Sequence, residues 1–141
     1  MELDRPLPQP MTPEARPYWD GLREQKLMLP RCSDCGHTFF YPRVLCPRCH
    51  SRAIGWIEAS GRGRLHAFGI AHQTFNRAYK VPPPFVLAMI ELEEGPRMLS
   101  NLINVTPDPT AMKCDMPVEI VFTKLTDDVT LPLFQPAGDR P

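Results

Sequence analysis

Four cysteines dominate the chemistry this chain could perform. Cys32-x-x-Cys35 and Cys46-x-x-Cys49 are separated by ten residues. Each pair can fold into a tight turn, or knuckle, that presents two thiolates to one ion, and four thiolates at about 2.3 Å complete a closed tetrahedral zinc site. Gly36 follows the second cysteine, where a knuckle needs a residue at ease with positive φ, and Pro47 stiffens the second pair. Iron bound as in rubredoxin uses the same ligands, and a dithiol redox site is a third reading that two matched pairs argue against. A closed four-thiolate site offers water no open position, so its role is to hold a segment too small to bury its own core. His37 and His50 flank the cysteines; four sulfurs already suffice, so both read as surface residues or neighbours of the ligands.

The remaining reactive residues form no catalytic set. The chain has no phosphate-cradling glycine loop and no G-x-S-x-G elbow. Cys114, the one cysteine outside the ribbon, reads as a small apolar residue before a nucleophile. His66 and His72 are six residues apart on one predicted strand, hence on one face. They could line a cleft, although exposed or satisfied histidines are the commoner case. Glu91, Glu93 and Glu94 read as a solvated strand end leading into the Gly95-Pro96 turn. Arg62, Arg64, Arg77, Lys80 and Arg97 could together meet phosphates, with scattered surface charge as the alternative.

These residues need elements to position them. Residues 1–12 read as an arm. The segment 13–29 carries Thr12 as N-cap and Pro13 in the first turn, with Tyr18, Trp19, Leu22 and Leu29 near helical spacing. Pro17 and Gly21 interrupt that pattern, which predicts one or two short helices stopped by Pro30. From residue 54 onward, strand-like runs alternate with turn residues: GWIEAS, RGRLHAFGIAH, PFVLAMIEL, RMLSNLINV and MPVEIVFTKL. About five strands at this spacing predict a small barrel or sandwich. Eighteen prolines, concentrated in 1–17, 82–84, 107–117 and the tail, predict a loop-rich chain.

Composition narrows the function classes. Sixteen basic and sixteen acidic residues cancel, which counts against the electrostatic grip that nucleic-acid binders use. No apolar run approaches the roughly 20 residues of a membrane helix. The N-terminus shows no basic-then-apolar signal pattern, so the cytoplasm is the expected compartment. In such a compartment, paired C-x-x-C motifs read as metal ligands before disulfides.

Taken in order, these landmarks resemble the zinc-ribbon plus OB-fold family associated with thiolases and other acyl-CoA enzymes. An aromatic Tyr18-Trp19 segment precedes LPRCSDCGHTFFYPRVLCPRCHS; then follow WIEASGRGRLH at 56–66, PPFVLAMIELEEGPRMLSNLINV at 83–105, MPVEIVF at 116–122 and the Leu133–Pro136 tail. A glycine common in the family before the MPVE segment is replaced here by Cys114-Asp115. The resemblance implies a mainly β fold: an N-terminal arm and short helical segment (1–29), a rubredoxin-like zinc ribbon (30–53), a five-stranded OB-fold barrel (54–136) and a tail (137–141). It implies one structural zinc on Cys32, Cys35, Cys46 and Cys49. It also implies a non-catalytic accessory subunit that bridges or completes a thiolase-superfamily acyltransferase, thiolase or aldolase and helps hold acyl-CoA.

Within that expectation, Arg62, Arg64, Arg77 and Lys80 are the candidate CoA contacts. Tyr18, Trp19 and Leu22 are the candidate partner contacts, packing on the chain's own ribbon being the alternative. The competing function is a single-stranded nucleic-acid binder, in which Phe68, Phe75 and Tyr79 would stack bases. A third is a self-sufficient enzyme centred on Cys114, His66 or His72.

Overall fold

The computed structural model describes residues 5–8, 12–74 and 76–138. After Thr12 a single 3-10 turn, Pro13–Ala15, leads into helix α1, Arg16–Arg23. Thr12 has the extended backbone of an N-cap, but its side chain makes no capping bond. Pro17 does not interrupt the helix: it sits in the first turn, where a missing N–H costs nothing. Gly21 has a packing role, because a Cβ there would lie 2.5 Å from Met28 Cγ and 3.1 Å from the Lys26 carbonyl oxygen.

The helix does not continue to Leu29 as the spacing suggested. It ends at Arg23, the chain reverses through Gln25 at φ 61°, and Leu27–Cys32 forms strand β1. Leu27 and Leu29 are both buried with Met28 between them half-buried, which is strand alternation; Leu29 fits either period, and pairing with Ile54–Ala59 (β2) decides it. Pro30 is tolerated inside β1. Its carbonyl accepts from the Phe39 N–H, so its missing donor faces that thinly paired side, where only Arg31 and Thr38 form a bridge.

Strands β1 and β2 make a two-stranded antiparallel sheet, from Leu27↔Ala59 to Cys32↔Ile54, that closes the base of the ribbon. By pairing, β2 thus belongs with the ribbon, although it begins the 54–136 stretch. A turn at Ser60-Gly61 leads into a closed five-stranded barrel. Its strands are β3 (Arg62–Ala71), β4 (Phe85–Leu92), β5 (Arg97–Leu102), β6 (Pro117–Lys124) and β7 (Thr130–Pro136). The order is β3-β4-β5-β7-β6, antiparallel throughout except where β5 meets β7 in parallel at Leu102↔Phe134. The fifth strand is therefore TLPLFQP, which the run of sequence patterns omitted because Pro132 and Pro136 flank its apolar residues.

A bulge between Leu65 and Ala67 resets the phase of β3, so that Gly63 and Leu65 are buried before it and Phe68 and Ile70 pack on the core after it. Gly63 cannot carry a side chain, since a Cβ would collide with the carbonyl oxygen of Glu91 on β4. One apolar cluster runs through the molecule, from Tyr18 and Leu22 on α1 through Leu27, Leu29 and Ala59 to Leu65, Ile90, Met98, Val118 and Phe134 in the barrel. Among the described residues no helix is long and apolar enough to cross a membrane.

Candidate functional site

The four cysteines converge. All four sulfurs lie within 4.8 Å of one another, with Cys32 Sγ to Cys49 Sγ at 3.5 Å and Cys35 Sγ to Cys46 Sγ at 3.6 Å. A tetrahedron of sulfurs with metal bonds of about 2.3 Å has edges of about 3.8 Å, so this spacing suits a single zinc ion. The two knuckles share one backbone pattern. Cys32 N–H donates to the His37 carbonyl and Gly36 N–H to the Cys32 carbonyl; Cys46 N–H donates to the Ser51 carbonyl and His50 N–H to the Cys46 carbonyl. Gly36 at φ 76° and His50 at φ 63° occupy the same left-handed corner. His50 is thus the second knuckle's counterpart of a glycine, a role its position one residue after Cys49 made legible.

The thiols divide into two pairs. The Cys35 backbone N–H, directed at the Cys32 sulfur, draws that thiol down to about 7. At Cys46 burial pushes upward, and the N–H groups of Cys49 and Arg48 outweigh it. At Cys49 the Ser51 N–H pulls downward, but the Cys32 sulfur and burial drive the thiol up to about 12; Cys35 is raised by burial and by the sulfurs of Cys46 and Cys32 against the His37 N–H. Four adjacent thiolates repel one another, and a divalent cation at their centre removes that conflict. Cys32 and Cys46 are buried whereas Cys35 and Cys49 are exposed. The residues therefore fit one structural zinc with a closed coordination sphere.

The sequence-proposed CoA contacts fall into two places. Arg62 and Arg64 line a cleft of about 670 Å³ at one end of the barrel, together with Glu91, Glu93, Glu119 and Pro117. Neither arginine forms an ion pair among the described residues. Arg77 and Lys80 lie in the loop at the far end of the β3–β4 hairpin, which runs from Gly63↔Leu92 to Ala71↔Phe85. Eight residues of strand separate those ends, roughly 25 Å, so the four cations do not form one cluster. Tyr18 and Leu22 are buried in the chain's own core and Trp19 is half-buried against it.

The other candidates are dispersed. His66 is half-buried beside the bulge, while His72 and Cys114 are exposed. Phe68 packs on the core, and Tyr79 lies against Phe85, with ring centroids 5.0 Å apart, under the Arg5 guanidinium. Phe75 falls outside the described residues. Glu93 and Glu94, assigned to a solvated strand end, are instead used: Ser60 Oγ donates to Glu93 at 2.8 Å and Ser60 N–H to Glu94 at 2.9 Å. They clamp the turn that joins ribbon to barrel, a contact between distant segments that spacing could not reveal.

Fold and site together define a four-cysteine ribbon joined to an OB barrel, and the comparisons give this class its family. The family model described as ChsH2, rubredoxin-like zinc ribbon domain, matches residues 19–55. The model described as ChsH2, C-terminal OB-fold domain, matches residues 56–123. A DUF35 domain-containing scaffold protein of Methanothermobacter thermautotrophicus is 33% identical over 70% of this chain and 72% of its own length. One from Pyrococcus furiosus is 33% identical over 78% and 79%. The chain belongs to this family of ChsH2-type, DUF35 domain-containing proteins.

A probable enoyl-CoA hydratase alpha subunit of Thermomonospora curvata is 30% identical over 92% of the chain, which spans only 40% of that relative. Among solved structures, one titled Ltp2-ChsH2(DUF35) aldolase superposes with a TM-score of 0.81 at 27% identity, covering 92% of this chain and 98% of that one. A DUF35-family protein from Sulfolobus solfataricus shares the fold, with a TM-score of 0.62 at 17% identity.

Proposed function

We propose that this chain is a non-catalytic accessory subunit of a thiolase-superfamily acyl-CoA-processing complex, where it bridges or stabilises the catalytic subunits and helps hold the acyl-CoA. One observation carries the reading: the chain matches, over nearly the full length of both, the chain solved as part of an Ltp2-ChsH2(DUF35) aldolase. The relatives named as scaffold proteins and as an enoyl-CoA hydratase alpha subunit support the same role.

In this reading the zinc supplies no chemistry to a reaction. Cys32, Cys35, Cys46 and Cys49 fix the ribbon, the ribbon and α1 brace the barrel, and the combined surface meets a catalytic partner in the cytoplasm. Because Tyr18 and Leu22 are committed internally, a partner docking on α1 would meet Trp19 and the exposed polar residues around it. Arg62 and Arg64, without ion-pair partners among the described residues and lining an open cleft, are the better placed of the four cations to meet CoA phosphates. The cleft also carries Glu91, Glu93 and Glu119, of which Glu91 pairs with Arg97 and Glu93 accepts from Ser60.

Affinity purification of the tagged chain from its own source cells tests this reading. The expected result is stoichiometric recovery of a thiolase-superfamily subunit with one zinc per copy of this chain. Recovery of the chain alone, or with nucleic acid, would overturn it. In the recovered complex, Arg62→Glu with Arg64→Glu should weaken CoA binding at least tenfold; unchanged binding removes the CoA assignment while leaving the accessory role.

A further inference from the structure

Three of the six large apolar side chains exposed among the described residues lie in one five-residue loop. Tyr41 is 51% exposed, Val44 51% and Leu45 39%. This loop spans the two knuckles, and Leu45 directly precedes the buried ligand Cys46. Held by the ligand Cys46 on one side and by the buried Phe39 on the other, the loop presents its side chains with little further ordering cost on binding.

Charge along the ribbon segment is one-sided, with Glu94 of the β4–β5 turn the one carboxylate lining the depression that Arg43 and Arg48 share. From residue 31 to 52 the chain carries Arg31, Arg43, Arg48 and Arg52 against a single carboxylate, Asp34, which accepts the Ser51 hydroxyl. None of these arginines has an ion-pair partner among the described residues. The chain as a whole is neutral, so this basic excess is local to the ribbon.

We infer that the Tyr41–Leu45 loop is the ribbon's docking finger: its apolar tip enters a depression on the catalytic subunit whose rim is acidic and pairs with Arg43, Arg48 and Arg52. This rests on the accessory-subunit reading and specifies the surface that reading uses. Charge complementarity selects the partner's rim, and an apolar centre with a charged rim is the usual anatomy of a protein interface. A nucleic acid fits less well, because Tyr41 offers the tip's only aromatic ring, and that ring is already tilted against Phe40 at 4.3 Å between centroids. A lipid surface fits less well too, because three partly exposed side chains are a small apolar face for interfacial binding.

The thiolase-superfamily subunit recovered with the wild-type chain is the probe. Its affinity is measured by calorimetry for wild type, Val44→Asp and Arg43→Glu, each first shown to retain one zinc and the wild-type melting temperature. Val44→Asp should weaken binding at least tenfold. Arg43→Glu should weaken it severalfold and flatten its salt dependence. Should both variants bind within twofold of wild type, the finger is overturned although the accessory role stands; failure to recover any such subunit overturns the accessory role itself. Wild-type binding to phosphatidylglycerol vesicles or to an oligonucleotide, abolished by Val44→Asp, would overturn the protein partner in favour of that surface.

Discussion

The ribbon and the barrel solve the same problem by different means. Between residues 33 and 53 only Phe39 and Cys46 are buried, whereas the barrel buries Leu65, Ile90, Leu92, Met98, Val118 and Phe134 among others. A segment of about 20 residues with so little apolar burial cannot repay the entropy of ordering it. Four thiolates on one ion can, because metal binding to such a segment is itself folding free energy. The barrel closes on itself instead, and among the described residues none of its strands carries a metal ligand. A ribbon freed from core duty exposes Tyr41, Val44 and Leu45 within five residues, whereas the barrel's exposed Leu87 and Leu99 sit on separate strands.

The largest expected effect comes from breaking the ribbon. Cys46→Ser, or chelation of the metal, should remove on the order of 10 kcal/mol of metal-linked stability. Amide hydrogen exchange should show residues 31–54 losing protection while β4 and β6 keep theirs. Simultaneous loss in both regions would mean that they form one cooperative unit through the Ser60–Glu93 and Ser60–Glu94 clamp. Phe134→Ala, at a fully buried barrel position, should cost about 3–5 kcal/mol in denaturant melts and leave zinc content unchanged.

The two knuckles sharpen the contrast at smaller scale. Gly36→Ala should destabilise by about 1 kcal/mol, because φ is 76° there, and His50→Gly should stabilise by a similar amount. Competition with a zinc chelator would register both, and equal zinc retention would show that the corners are not strained. The smallest effect concerns Tyr18, whose phenol is raised above its ordinary value by burial and then by Tyr41. The stability linked to this group is full below the unfolded pKa of about 10 and falls as pH rises towards the folded value. Tyr18→Phe should therefore flatten the loss of stability above pH 10, as read from melting temperature against pH.

Local features carried the ribbon. The spacing of Cys32, Cys35, Cys46 and Cys49 named the site before any fold was known, because a knuckle is built from four neighbouring residues. The barrel was half legible. Runs such as PFVLAMIEL show strand periodicity, but the pairings that give β2 to the ribbon and the proline-flanked β7 to the barrel are contained in no local pattern. The helix boundary failed for the same reason. Leu29 fits either a helical or a strand period, and Ile57, its partner on β2, decides between them.

The sequence by itself determined the metal ligands, the left-handed corner at Gly36, the overall neutrality and most strand-forming runs, all properties of residues close in the chain. Only the tertiary structure decided that Arg62 and Arg64 share a cleft that Arg77 and Lys80 do not. It alone placed Tyr18 and Leu22 inside the core, set Glu93 and Glu94 on the Ser60 turn, and left Tyr41, Val44 and Leu45 exposed. Each of these depends on contacts across tens of residues, where strand register and barrel closure, rather than local propensity, fix which side chains meet.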